Sequence, residues 1–99
     1  MSFETKMEAG VLMIKIGGRF DFSVHKQFRD ATSQALGNIK KIEVDLSATD
    51  YLDSSALGML LILRDKMAEN KEAVVLKGAA ADVKKILQIA NFDKLFTIS

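Results

Sequence analysis

The 99-residue chain contains no cysteine, no proline and only one histidine. Without cysteine there is no disulfide framework, no thiol chemistry and no cysteine-based zinc site. His25 sits beside Lys26 near the start of a helix. It lacks the further ligands at fixed spacing that a metal requires, so it reads as a solvated helix residue and no metal is expected. The lack of proline leaves no stiff linker. One domain over residues 1–99 is therefore expected, long enough for a modest core without staples.

Charge of one sign is also lacking. Fourteen Lys and Arg stand against 13 Asp and Glu, a net charge of +1. No basic patch is gathered anywhere, so nucleic acid is not an expected partner. No apolar run is long enough to span a membrane, and the stretch from Gly58 to Leu63 stops at Arg64-Asp65. Met1-Ser2-Phe3-Glu4 has neither the basic nor the apolar part of a secretory signal. The chain is thus expected to be cytoplasmic, with no membrane partner. A G-x-x-x-x-G-K loop, a Ser/His/Asp set and a paired-carboxylate cleft are all absent, so neither an enzyme nor a cofactor is expected.

What is there is a folded pattern, with 48% apolar residues and no low-complexity tract. Phe3 to Glu8 and Val11 to Ile16 alternate at strand rhythm around Ala9-Gly10, which predicts an antiparallel hairpin ending at Gly17-Gly18. Asp21-Phe22-Ser23 supplies helix-start residues, and Val24, Phe28, Ala31 and Ala35 then form one helical stripe up to a cap at Gly37. Lys41 to Leu46 predicts a third strand, with Glu43 and Asp45 on a face that is not fully buried. A second helix is predicted from about Ser54 to Glu69, and a fourth strand from Ala73 to Leu76 between Glu72 and Lys77. A third helix is predicted over Ala80 to Ala90, then a short strand or tail at Leu95-Phe96-Thr97-Ile98. Strand, helix, strand between Lys41 and Leu76 implies a right-handed crossover and a parallel pair, hence a mixed sheet.

The joint between the third strand and the second helix is Asp53-Ser54-Ser55. Three small oxygen-bearing side chains before an apolar run suit the unpaired N–H donors of a helix N-terminus. The helix dipole makes the same place receptive to a phosphate. A serine there is either a plain cap or a phosphorylation site. Along the helix, Ala56, Leu60, Leu63 and Met67 share one arc and Leu57, Leu61 and Ala68 the next, which predicts the core side. The other side carries Gly58, Ile62, Asp65 and Glu69, with Met59 at its edge. Ser54, Gly58 and Ile62 make one row. This is either a face covered by another element or a docking face with a serine at its head. Asp45, Asp50 and Asp53 do not make a receiver-type phosphoacceptor pocket, which would need an acidic pair after the first strand and a lysine after the last.

The run Asp45-Leu46-Ser47, then Tyr51-Leu52-Asp53-Ser54-Ser55-Ala56-Leu57-Gly58 and an apolar helix, resembles the STAS domains. Among them it is most similar to bacterial anti-sigma-factor antagonists. Gly17-Gly18-Arg19-Phe20-Asp21 and Gly78 extend the likeness over nearly the whole chain. Ala56 replaces a glycine of the family pattern, placing a methyl where a partner's backbone would approach. The resemblance implies an α/β fold, a mixed sheet of four or five strands with three or four helices. It also implies a module, monomeric when free, that binds an anti-sigma factor acting as a serine kinase. The kinase phosphorylates Ser54 and is released, and a metal-dependent serine phosphatase restores binding. Asp53 would shape the loop and Asp21 would line the same end of the sheet. With Ser55, Gly58, Met59 and Ile62 they make the expected contact surface. The alternative is a STAS subunit of a lipid-transport or sensory assembly that never cycles phosphate.

Overall fold

Side chains that alternate apolar and polar make a strand whose two faces meet different surroundings, and the second half of the first hairpin is built this way. The computed structural model describes residues 2–35, 39–67 and 73–99. Strands β1 (Ser2–Glu8) and β2 (Val11–Phe20) pair antiparallel, with Glu8 opposite Val11. The two turn residues, Ala9 at φ 53° and Gly10 at φ 82°, are both left-handed, as a tight hairpin of the right twist requires.

A 3₁₀ turn (Phe22–Val24) leads into α1 (His25–Ala35). Then come β3 (Lys41–Asp45), β4 (Thr49–Leu52), α2 (Ser54–Lys66), β5 (Val74–Lys77) and α3 (Ala81–Ile89). A second 3₁₀ turn (Phe92–Lys94) and β6 (Thr97–Ile98) close the chain. The sheet runs β1-β2-β3-β5-β6, with β4 attached to the far end of β2. Every pair except the first hairpin is parallel. The mixed sheet and the parallel β3–α2–β5 unit are as the pattern implied, and the sheet has six strands.

One sheet face is covered. Leu12, Ile14 and Ile16 of β2, Ile42 and Val44 of β3, and Val74 and Leu76 of β5 pack in one core with Val24 and Phe28, with Ala56, Met59, Leu60 and Leu63 of α2, and with Val83 and Leu87 of α3. Lys15, Glu43, Asp45 and Lys77 lie on the other face, where Lys15 is exposed and the other three are partly buried. Lys77 pairs there with Glu43 at 3.2 Å.

Four expectations differ from the structure. β2 does not stop at Gly17-Gly18 but continues to Phe20. The register shifts between Gly18 (φ 84°) and Arg19, and β2 there changes partner from β3 to β4. The extra residue of this bulge is Asp50, which stands in β4 between Thr49 and Tyr51, the partners of Gly18 and Arg19, and glycine takes the positive φ opposite it without strain. Second, the stretch before α2 is not all loop, because Thr49–Leu52 forms β4. The Thr49 hydroxyl is buried and donates to the carbonyl of Ile16 at 2.6 Å. Third, Leu95 and Phe96 follow a 3₁₀ turn and precede the last strand, with Phe96 in the core. Fourth, α1 buries Thr32 beside its apolar stripe, the hydroxyl donating to the carbonyls of Phe28 and Arg29 at 3.0 Å. The expected cap at Gly37, the helix end at Ala68 and Glu69, and the boundary at Glu72 lie outside the described residues.

Candidate functional site

The two strand ends that meet at the bulge deliver two aspartates side by side. Arg19 faces Tyr51 and Phe20 faces Leu52 in the β2–β4 ladder. One residue further on, the Asp53 N–H donates to the Phe20 carbonyl at 3.4 Å. Asp21 and Asp53 therefore leave the sheet together, and each caps the helical turn that follows it. Asp21 Oδ1 accepts from the Ser23 N–H at 2.9 Å and from the Ser23 hydroxyl. Asp53 Oδ1 accepts from the Ala56 N–H at 2.9 Å, and its carbonyl accepts the first helical bond, from Leu57 at 3.2 Å. Asp53, not Ser54, is the N-cap of α2, which corrects the reading of the serine as a plain cap.

Ser54 is then the first helical residue and is exposed. Among the described residues nothing hydrogen-bonds its hydroxyl. With Asp53 accepting from the Ala56 N–H, that hydroxyl is not the cap of α2. Ser55 differs: half-buried, it lines a depression with Phe22, His25, Gly58, Met59 and Ile62. The depression continues as a groove between α1 and α2, past Phe28, Arg29 and Thr32 on one wall and Leu63 and Lys66 on the other.

Its rim is apolar and uncovered. Phe22 is 69% exposed and Ile62 53% exposed. The row Ser54, Gly58, Ile62 does face outward, as the helical period implied. Met59 does not: it is 5% exposed and forms part of the core, although it also floors the groove. Leu61, assigned to the core side, is 39% exposed instead. Ala56 is fully buried, so its methyl meets the core and not an approaching partner. At Gly58 an added Cβ would meet nothing within 4 Å.

Residue patterns did not point to four members of this surface. The rings of Phe22 and His25 pack tilted by 39° at 5.3 Å between centroids, so His25 is a half-buried wall of the groove and not simply a solvated residue. An aromatic at Phe22, off the Val24–Phe28 stripe, was the available sign. Arg19 and Tyr51 became neighbours only through β4, the Arg19 Cζ lying 4.3 Å from the Tyr51 ring centre. Arg19 Nε also donates to Asp21 Oδ2 at 3.4 Å.

The Ser23 hydroxyl and N–H, with Arg19 beside them, hold the Asp21 carboxyl below its ordinary 3.8. Asp45 is away from this surface, on the open sheet face. Partial burial would raise its carboxyl, but bonds from Ser47 and the charges of Lys77 and Lys15 bring it below 3.8. Asp45 and Asp50 do not join Asp53 in a pocket. No group of three potential metal ligands occurs among the described residues. Nor is any described helix long and apolar enough to cross a membrane.

Comparison with known proteins agrees with this architecture. The family model described as Mlab, STAS domain matches residues 3–97. A STAS-domain-containing protein of Pseudomonas aeruginosa (strain UCBPP-PA14) is 48% identical over 88 residues, 89% of this chain and 87% of that protein. The anti-sigma-factor antagonist SpoIIAA in its unphosphorylated form superposes with a TM-score of 0.78 at 19% identity, covering 99% of this chain and 87% of that one. The phosphorylated form of SpoIIAA, a Bacillus cell fate determinant, gives 0.77 at 19% identity, covering 99% and 91%. At that identity the structural likeness speaks for the fold. With a family match over nearly its whole length and a relative at 48% identity, the chain belongs to the STAS-domain family.

Proposed function

We propose that the chain is a phospho-switchable interaction module, an anti-sigma-factor antagonist, and not an enzyme. Its unphosphorylated form binds a serine kinase that is also an anti-sigma factor, and phosphorylation of Ser54 releases that partner. A metal-dependent serine phosphatase resets the cycle in the cytoplasm. The observation that carries this reading is the division of labour at the start of α2, where Asp53 caps and leaves the Ser54 hydroxyl exposed and unengaged. The apolar rim of Phe22 and Ile62 a turn or two away supports docking beside that serine. A phosphate adds about −1.5 to −2 charges, and a partner lying over the rim would have to desolvate it. The same exposed pair would also suit permanent burial, which favours a second reading: a STAS subunit of a larger lipid-transport or sensory assembly.

The test is capture by tagged chain from cells of its own source, with mass spectrometry of both the bait and what it retains. Expected are one phosphate on Ser54 and retention of a serine kinase or anti-sigma factor by unphosphorylated bait only. Phosphate on Ser55 with Ser54 unmodified overturns the site. Bait that is never phosphorylated and retains transporter subunits establishes the second reading.

A further inference from the structure

Resting on phosphorylation of Ser54, we propose that Arg19 is the intramolecular partner of the phosphate and that it leaves Asp21 and Tyr51 to take up that role. The starting arrangement is on the surface. The guanidinium stacks over Tyr51 at 4.3 Å, and its Nε–H reaches Asp21 at a long 3.4 Å. The Arg19 side chain is 63% exposed, so the pair is screened and easily exchanged. Arginine has five N–H donors in a planar fork matched to phosphate oxygens, and among the described residues only Asp21 accepts from it.

The ladder brings the two residues within reach. Arg19 and Tyr51 are register partners, so their backbones lie about 5 Å apart. Ser54 is three residues beyond Tyr51, at most about 10 Å along the chain. An extended arginine and a phosphoserine together bridge that separation. The need for a cation is also local, because a phosphate on Ser54 would join Asp53 in sequence and Asp21 across the ladder, both acidic. Like charges close together raise one another's proton affinity, and an adjacent cation lowers it. His25, on the Ser55 side of the depression, is the competing N–H donor.

Movement of Arg19 changes more than the phosphate. It uncovers the Tyr51 ring and leaves Asp21 without its cation, so the modified surface differs from the docking surface at three residues besides Ser54. Tyr51 is the only tyrosine in a chain without tryptophan, which makes its emission a direct reporter.

The experiment uses chain carrying phosphoserine at position 54 installed by genetic code expansion, so it does not depend on any cellular kinase. The second ionisation of that phosphoserine is followed by ³¹P NMR in the wild type, Arg19→Gln, Arg19→Lys and His25→Gln. Expected is an upward shift of about half a pH unit or more in Arg19→Gln, with Arg19→Lys in between and His25→Gln like the wild type. Tyrosine emission should change on phosphorylation in the wild type and stay constant in Arg19→Gln. Identical phosphoserine titrations in the wild type and Arg19→Gln overturn the proposal, as does a shift caused by His25→Gln alone. A positive result in a chain that no kinase modifies would leave the contact standing and remove the function proposed for it.

Discussion

Between Asp53 and Ser54 the structure separates the residue that caps the helix from the exposed hydroxyl proposed as the switch, and substitutions should separate them too. Asp53→Ala removes the acceptor for the Ala56 N–H and should cost about 0.5–2 kcal/mol, the value of an N-cap. For a domain of this size that is a melting-point loss of several degrees. Ser54→Ala removes an exposed, unengaged hydroxyl and should stay within about 0.5 kcal/mol. Thermal melts of the two variants check this, and a Ser54→Ala that melts like Asp53→Ala would restore the serine to the cap. Asp21 gives a second residue-level test. Its carboxyl is lowered first by the Ser23 hydroxyl and only last by the charge of Arg19. Ser23→Ala should therefore raise the Asp21 titration, read by carboxyl ¹³C NMR, more than Arg19→Gln does. The sign for stability follows. A carboxyl held below its unfolded value contributes fully above about pH 4, and that contribution disappears as pH falls through the lowered value.

The elements differ in how openly the chain declares them. β2, β3 and α3 obey their periods because one face is covered and the other is wet, whereas β1 alternates in sequence although only Phe3 of it is partly covered. β4 does not, since Thr49 and Leu52 are buried with Asp50 and Tyr51 exposed between them, a pattern with no alternation. It exists because the far end of β2 offers a partner, with Asp50 as the extra residue of the bulge, and Gly17-Gly18 in sequence reads as a stop rather than as a continuing strand. α2 was legible as a helix, with Ala56, Leu60 and Leu63 on its core side and Ile62 outward, but two positions were misassigned. Leu57, Met59, Leu60, Leu61, Ile62 and Leu63 surround it almost completely, so the period alone misplaced Met59 and Leu61. Two variants use the observed orientation. Gly58→Ala has open space for its methyl and gains helix propensity, so it should stabilise the domain by up to about 1 kcal/mol. The same methyl should weaken partner capture if the proposed docking row of Ser54, Gly58 and Ile62 meets a partner, which the capture assay reads. Ile62→Lys, at a half-exposed position, should shift stability by no more than about 0.5 kcal/mol while weakening capture at least several-fold. A large drop in its melting temperature would make Ile62 a core residue and remove the docking face.

For the molecule as a whole, the question is whether a phosphate alters the fold or only its surface. The uncovered sheet face is a lattice of opposite charges, with Glu4 opposite Lys15, Lys15 opposite Asp45, and Asp45 opposite Lys77. It is a stable outer surface that leaves the helix face to carry the core. The core lies beneath α2, in Ala56, Met59, Leu60 and Leu63, whereas Ser54 is outside it. The resemblance in the strand-to-helix joint pointed to this serine. What it could not convey was the groove, because Phe22 and His25 are joined to α2 by tertiary packing alone. Adding about −1.5 to −2 charges to a chain of net charge +1 reverses its overall sign near neutral pH. Phosphorylated chain should accordingly move toward the anode on a native gel and keep its melting temperature within a few degrees. Amide ¹H–¹⁵N spectra should move around residues 19–25 and 51–62, at the joined ends of β2 and β4 and along the groove, and hardly at all in β1, β6 or α3. Shifts spread through those distant elements, or a lost melting transition, would mean that the phosphate acts through the fold and that partner release follows from disorder instead of from charge.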